Sequence, residues 1–242
     1  MRHLLLLCIV ALPLSFIGAQ GSAFGVKGGL SVGTQRGDNP YATDALFAYH
    51  GIAFIESLNE DSPFSLFAQA GYHVRGSARR NQRFINLNNG GFFNQSYNFE
   101  IQNLALTLGG KSRKDLGASA AQWYYMIGVR GEYTLGTNFE EYDQIFVGGF
   151  PGFFPDEGFI RKINYGVTVG GGLEFPFAEL AGGILELTVN PDFSRQYEQP
   201  PVTNVTDPFT GQPINLAQRR VINMSVELSL GIRLLHKVEY ID

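Results

Sequence analysis

The sequence predicts an all-β fold, an eight-stranded antiparallel up-and-down transmembrane β-barrel, and three observations carry that prediction. Eight segments alternate apolar and polar residues with a period of two, the connections between them sort into long and short, and aromatic residues gather at segment ends. Thirty glycines, 20 phenylalanines and 11 tyrosines in 242 residues suit strands and turns.

The chain opens with MRHLLLLCIVALPLSFIGAQ, in which Arg2 precedes an apolar run that ends at the small residues Gly18 and Ala19. This reads as a signal peptide over residues 1–19, leaving residues 20–242 as one outer-membrane barrel domain. The apolar run is shorter than the ~20 residues a membrane helix needs. Cys8, the one cysteine, lies within it, so the exported chain has no thiol chemistry. Of the 18 basic residues only Arg2 is in the leader, leaving 17 against 22 acidic ones. A net charge near −5 gives no reason to expect a nucleic-acid partner.

The segments follow in order. Residues 24–33 set Phe24, Val26, Leu30 and Val32 against Gly25, Lys27, Gly29 and Ser31. Residues 45–57 are apolar on both faces apart from His50 and Glu56. FSLFAQAGYHVRGS sets Phe64, Leu66, Ala68, Ala70, Tyr72 and Val74 against Ser65, Phe67, Gln69, Gly71, His73 and Arg75. In residues 99–110, Leu104, Leu106 and Leu108 mark a face.

The fifth, WYYMIGVRGEYTLG, has Trp123, Tyr125, Ile127, Val129, Tyr133 and Leu135 on one side and Tyr124, Met126, Arg130, Glu132 and Thr134 on the other. INYGVTVGGGLEF sets Ile163, Tyr165, Val167, Val169, Leu173 and Phe175 against Asn164, Thr168 and Glu174. Residues 183–193 set Leu185, Leu187 and Val189 against Glu186, Thr188 and Asn190 until Pro191, which cannot donate to a ladder and marks a bulge or strand end. VINMSVELSLGIRL closes the set with Ile222, Met224, Val226, Leu228, Leu230, Ile232 and Leu234 opposite Asn223, Ser225, Glu227, Ser229 and Arg233.

Side chains in a strand alternate between two faces, so each segment is two-faced. The odd-numbered connections 34–44, 77–98, 137–162 and 194–220 are mostly long, whereas the even-numbered 58–63, 111–122 and 178–182 are short or medium. Long extracellular loops alternating with short periplasmic turns describe a barrel in an outer membrane. Trp123, Tyr125, Phe175 and Phe177 fall at the periplasmic edge, and Tyr72, Tyr133, Tyr165 and Phe193 towards the outer one, which makes two aromatic girdles.

The apolar face then meets outer-membrane lipid, and Lys27, Glu56, His73, Arg75, Arg130, Glu132, Glu174, Glu186, Glu227 and Arg233 converge in the lumen. Eight strands enclose a space just wide enough for side chains to fill. Unpaired buried ions cost several kcal/mol each, so these charges must pair, and the lumen is expected to be plugged. Glycines 128, 166, 170, 172 and 231 make room for them.

A leader ending in Ala-Gln, a first strand GVKGGLSVG, a third strand SPFSLFAQAGYHVRG and a last strand VELSLGIRLL together resemble the PorT-like family of outer-membrane β-barrel proteins. The resemblance covers most of residues 20–236 as a strand pattern. It implies a small Gram-negative outer-membrane barrel, with some members linked to type IX protein secretion. A departure is the C-terminus, where HKVEYID follows Leu235 and Tyr240 takes the place of a final-strand aromatic.

Enzymatic chemistry finds little support. His73 and Ser77 could be drawn as part of a hydrolase set, but His73 faces the lumen and reads as a filler paired with glutamate. His50 has no placed partner and His236 lies in the tail. Loop carboxylates at 38–40, 155–158 and 207–213 match no defined calcium loop and read as turns. The basic run Lys111–Lys114 could touch lipid phosphates but reads better as a solvated periplasmic turn. No metal or cofactor is expected. The loop 137–162 carries Phe139, Phe146, Phe150, Phe153, Phe154 and Phe159, more apolar surface than a solvated loop needs. It reads either as a contact for a protein partner or as a flap packed on residues 84–93. A non-enzymatic structural or accessory barrel, as the resemblance to secretion components implies, is the leading reading. A passive small-solute pore is the alternative.

Overall fold

A computed structural model describes residues 21–58, 62–85, 90–117, 120–143, 155–206 and 211–237. The leader therefore lies outside the described residues, as do Tyr240 and Phe146, Phe150, Phe153 and Phe154 of the aromatic loop. Seven antiparallel strands follow one another around a ring: β1 (Gly21–Asp38), β2 (Leu46–Leu58), β3 (Phe64–Ile85), β4 (Phe92–Asp115), β5 (Gln122–Thr137), β6 (Ile163–Pro176) and β7 (Ala181–Pro191). Three short strands, β8 (Tyr197–Gln199), β9 (Val202–Thr206) and β10 (Pro213–Leu216), precede the long β11 (Arg219–Lys237). β11 pairs with β7 on one side and with β1 on the other, from Gly21 opposite Lys237 to Asp38 opposite Arg220. The eight long strands thus close an up-and-down barrel.

Polarity is inverted relative to a soluble domain. Val129, Leu230 and Ile163 are 66, 66 and 73 % exposed on the outside, while Arg130 and Glu227 are 3 and 2 % exposed within. From Trp123 to Tyr133, ten strand steps cover about 34 Å, which at the usual tilt gives a band about 25 Å high. That is the apolar height of an outer-membrane barrel. Trp123, Tyr125, Phe175 and Phe177 stand exposed at the turn end and Tyr133, Tyr165 and Phe193 at the loop end, with Tyr72 beside Tyr49 at 6.1 Å.

The strands outrun the segments read from sequence, chiefly at the loop end. The stretch 77–98 is mostly strand, since β3 continues to Ile85 and β4 starts at Phe92. The stretch 194–220 holds β8, which pairs with β11, and a separate β9–β10 hairpin. The run Lys111–Lys114 is not a turn: β4 extends to Asp115, and Lys111 and Arg113 point into the lumen. β7 ends at Pro191, as its missing N–H requires. His236 is paired on β11 opposite Ser22 rather than lying in a tail.

Gly76 sits where β3 leaves the membrane band, with φ of +137°, and a Cβ there would lie 1.9 Å from the Phe99 carbonyl oxygen. Gly76→Ala is expected to lower stability by about 1–3 kcal/mol. Urea unfolding in lipid vesicles checks this, and an unchanged midpoint would refute it.

Candidate functional site

The lumen is filled in layers. Nearest the turns, β2 supplies Glu56, β4 Lys111 and Arg113, β6 Glu174, and β11 Arg233. Lys111 Nζ lies 3.1 Å from Glu174 Oε1, Arg113 Nε 2.9 Å from Glu174 Oε2, and Arg113 Nη1 donates to Ser65 at 2.7 Å. Lys111 and Arg113 also pair with Glu56, and Arg233 with Glu174. Next comes Lys27 Nζ on Glu186 Oε1 at 2.5 Å, with the Tyr124 hydroxyl donating to Oε2 at 2.7 Å. Phe54, Phe67, Tyr124, Met126 and Ile184 make a small apolar cluster at this level. Gly172 leaves the space the Tyr124 ring occupies, since a Cβ would lie 2.7 Å from its hydroxyl.

At mid-height Arg75 Nη2 reaches Glu227 at 3.2 Å and Nη1 donates to Ser225 at 2.6 Å. Arg75 Nε and Arg130 Nε lie 3.1 and 2.7 Å from Glu132 Oε1, close as charges though not aligned as hydrogen bonds. Arg130 also holds Asp192 and donates to Asn190 at 2.9 Å. His73 Nδ1 lies 2.9 Å from Glu227, and its ring stacks on His50, whose Nε2 is 2.7 Å from Ser229. Beside them is a cavity of about 10 Å³, bordered by Gln69, His73, Thr107, Arg130 and Glu227. That is room for about one water.

Six basic side chains (Lys27, Arg75, Lys111, Arg113, Arg130, Arg233) therefore face six acidic ones (Glu56, Glu132, Glu174, Glu186, Asp192, Glu227), each with an opposite charge in reach. Such balance offsets the desolvation that isolated ions would suffer. Of the ten residues assigned to the lumen from sequence, nine are buried inside the ring, and Arg233, partly buried, pairs with Glu174 at the turn end. Sequence reading missed Lys111, Arg113 and Asp192. Lys111 and Arg113 share the parity of Asn103 and Thr107, and Asp192 that of Glu186 and Asn190, so continuing the count would have found them. His73 and Ser77 do not form a hydrolase pair, because the Ser77 hydroxyl donates to Gln35 at 2.9 Å and His73 is taken by Glu227. Among the described residues no group of three or more His, Cys, Asp or Glu is placed to hold a metal. Asp156 caps a short 3-10 turn through Gly158 N–H at 2.7 Å.

Above the charges a neutral layer links Ser77, Gln35, Asn223, Gln196, Thr134 and Asn103 through side-chain hydrogen bonds of 2.8–3.2 Å. At the extracellular mouth Tyr41, Tyr97, Phe99, Ile101, Phe139, Ile160, Tyr197 and Val221 form a buried apolar cap, with Tyr142 and Phe159 packed against it. Its rings meet edge to face, Tyr41 on Tyr197 at 5.8 Å and Phe99 on Tyr142 at 5.5 Å. Burial pushes the Tyr41 and Tyr197 phenols above their ordinary range. Of the loop phenylalanines, Phe139 belongs to this cap and Phe159 leans on Tyr197 at 6.1 Å. Phe92 and Phe93 stay exposed. Sequence reading did not find this cap.

An even-stranded closed barrel with an apolar exterior, aromatic girdles and a polar lumen belongs in the outer membrane of a Gram-negative bacterium. No family model and no curated sequence matches the chain. Solved structures similar to it include the outer membrane protein OprG from Pseudomonas aeruginosa, with TM-score 0.49 and 13 % identity over 91 % of this chain and 99 % of that one. A major outer membrane protein from Thermus thermophilus gives 0.44 and 14 %, covering 88 and 99 %. Neisserial surface protein A gives 0.44 and 9 %, covering 88 and 97 %.

Proposed function

We propose that this chain is a non-enzymatic barrel whose lumen is a permanent plug and whose work is done at its extracellular end, as an accessory component of a secretion or surface-assembly complex. The observation that carries the reading is the stacking of charge, amide and aromatic layers along the lumen. Strand motifs resembling the PorT-like family support the link to secretion. The extracellular end carries β3 and β4 well past the apolar band, and the β9–β10 hairpin lies in the connection between β8 and β11. β5 ends and β6 begins at the same end, on either side of the sequence that carries Phe146, Phe150, Phe153 and Phe154.

Affinity purification from detergent-solubilised membranes tests the reading. Wild type is expected to retain a protein partner, and a chain with Phe150, Phe153 and Phe154 changed to serine to lose it while keeping heat-modifiable gel mobility. Retention by the triple variant would remove the loop from the contact. The alternative, a passive small-solute pore, rests on the mid-lumen cavity, which holds about one water. In planar bilayers the wild-type barrel is expected to pass no steady current, and a stable single-channel conductance would favour the pore.

A further inference from the structure

On one side of the extracellular rim three arginines share one carboxylate. Arg195 Nη1 lies 2.7 Å from Glu198 Oε1, Arg220 Nε 3.6 Å from the same oxygen, and Arg161 Nη1 3.7 Å from Oε2. Their side chains are 41, 37 and 54 % exposed, unlike any paired arginine of the lumen. The strands explain the grouping, because Arg220 is paired with Glu198 across β11 and β8, and Arg161 N–H bonds to the Gln196 carbonyl. Arg220 also faces the Gln218 side-chain amide, which with its oxygen turned towards the guanidinium accepts from Nε and Nη2 at 2.8 and 2.9 Å.

Their height decides what they meet. Arg161 comes two residues before the outward Ile163, Arg195 two residues after Phe193, and Arg220 two residues before Ile222. Two residues are about 7 Å along a strand. Arg220 therefore stands one strand step beyond Ile222 on the lipid-facing side, where headgroups begin, and Arg161 and Arg195, just outside β6 and β7, are held beside it by Glu198. Arg36 lies outward opposite Ile222 and adds a fourth charge. Elsewhere at this end the charge is mixed, with Glu140 and Glu141 exposed after β5 and Arg80 and Arg83 exposed on β3.

Glu198 and Asp38, which stands opposite Arg220 on β1, are two carboxylates against four arginines, which leaves a surplus of positive charge and unused N–H donors, five per guanidinium. Guanidinium forks match phosphate oxygens bidentately. We infer that Arg161, Arg195 and Arg220 form a binding site for the phosphate groups of an outer-leaflet lipid, which fixes one flank of the barrel against the membrane surface. The inference rests on the outer-membrane orientation given above.

Native mass spectrometry of the full chain in detergent tests it, with diphosphorylated lipid A and its dephosphorylated form as probes. Wild type is expected to carry the diphosphorylated lipid and to hold the dephosphorylated one about tenfold less, as loss of a charge-assisted contact implies. R161Q/R195Q/R220Q is expected to lose about tenfold, and E198Q to bind at least as well as wild type. Equal retention by the triple variant, or equal binding of the two lipids, would overturn the site. Displacement by millimolar inorganic phosphate would assign the cluster to free anions, and preference for a soluble polysulfated sugar to glycans; either overturns the lipid assignment. Should the triple variant not fold, R161Q and R195Q singly are expected to lose a few-fold each. Heat-modifiable mobility reports the barrel separately, so a failure of the barrel reading is not confused with a failure of the site.

Discussion

Arg75→Leu is expected to lower the free energy of unfolding by about 3–5 kcal/mol, the usual consequence of removing one member of a buried ion pair. Arg75 is fully buried and touches Glu132 and Glu227. Without it Glu227 keeps only His73, and Glu132 keeps only Arg130, which it already shares with Asp192. Two carboxylates beside a cavity with room for about one water cannot be rehydrated without loosening the ring. Urea titration in lipid vesicles, followed by the fluorescence of Trp123, the single tryptophan, gives the measurement. Arg75→Leu combined with Glu227→Leu should recover part of the loss, since the pair is removed together. A single variant as stable as wild type would mean that water enters the lumen freely.

Leu228→Arg should cost about 2–4 kcal/mol, the penalty for an arginine at the midplane on the lipid side of a barrel. Leu228 sits midway along β11 between Leu30 and Leu187 and is 49 % exposed. In a soluble protein an arginine at so open a position would be nearly neutral. The same vesicle titration separates the two cases. A change below about 0.5 kcal/mol would show that this face does not meet hydrocarbon.

Within the apolar band the sequence could be read because the two solvents differ so sharply. Alternation in Trp123–Leu135 and in Ile222–Leu234 reports a face in lipid and a face in a charged lumen, and ring closure then follows from strand number. Beyond the band that contrast vanishes. ARRNQRF of β3 and NQSYN of β4 are polar on both faces apart from the buried Ala78 and Tyr97, because most of these positions meet water or headgroups, so the extended hairpin left no periodic trace. Lys111 and Arg113 were misread for a different reason. A basic run beside a turn is ordinarily solvated, and only the positions of Glu56 and Glu174 on other strands reveal that it is neutralised. The aromatic cap was invisible because Tyr41, Phe99, Phe139, Tyr197 and Val221 come from five separate stretches that only the closed ring brings together.

The seam between the first and last strands has a temporal consequence. Gly21 finds its partner at Lys237, so the opening strand waits for nearly the entire polypeptide to be delivered before its outer edge is satisfied. Until then two rows of peptide groups face hydrocarbon unbonded, a condition no intermediate can sustain inside a bilayer. Insertion and closure must therefore be concerted, and a polypeptide arrested before residue 219 would remain in the periplasm as a client for chaperones and proteases.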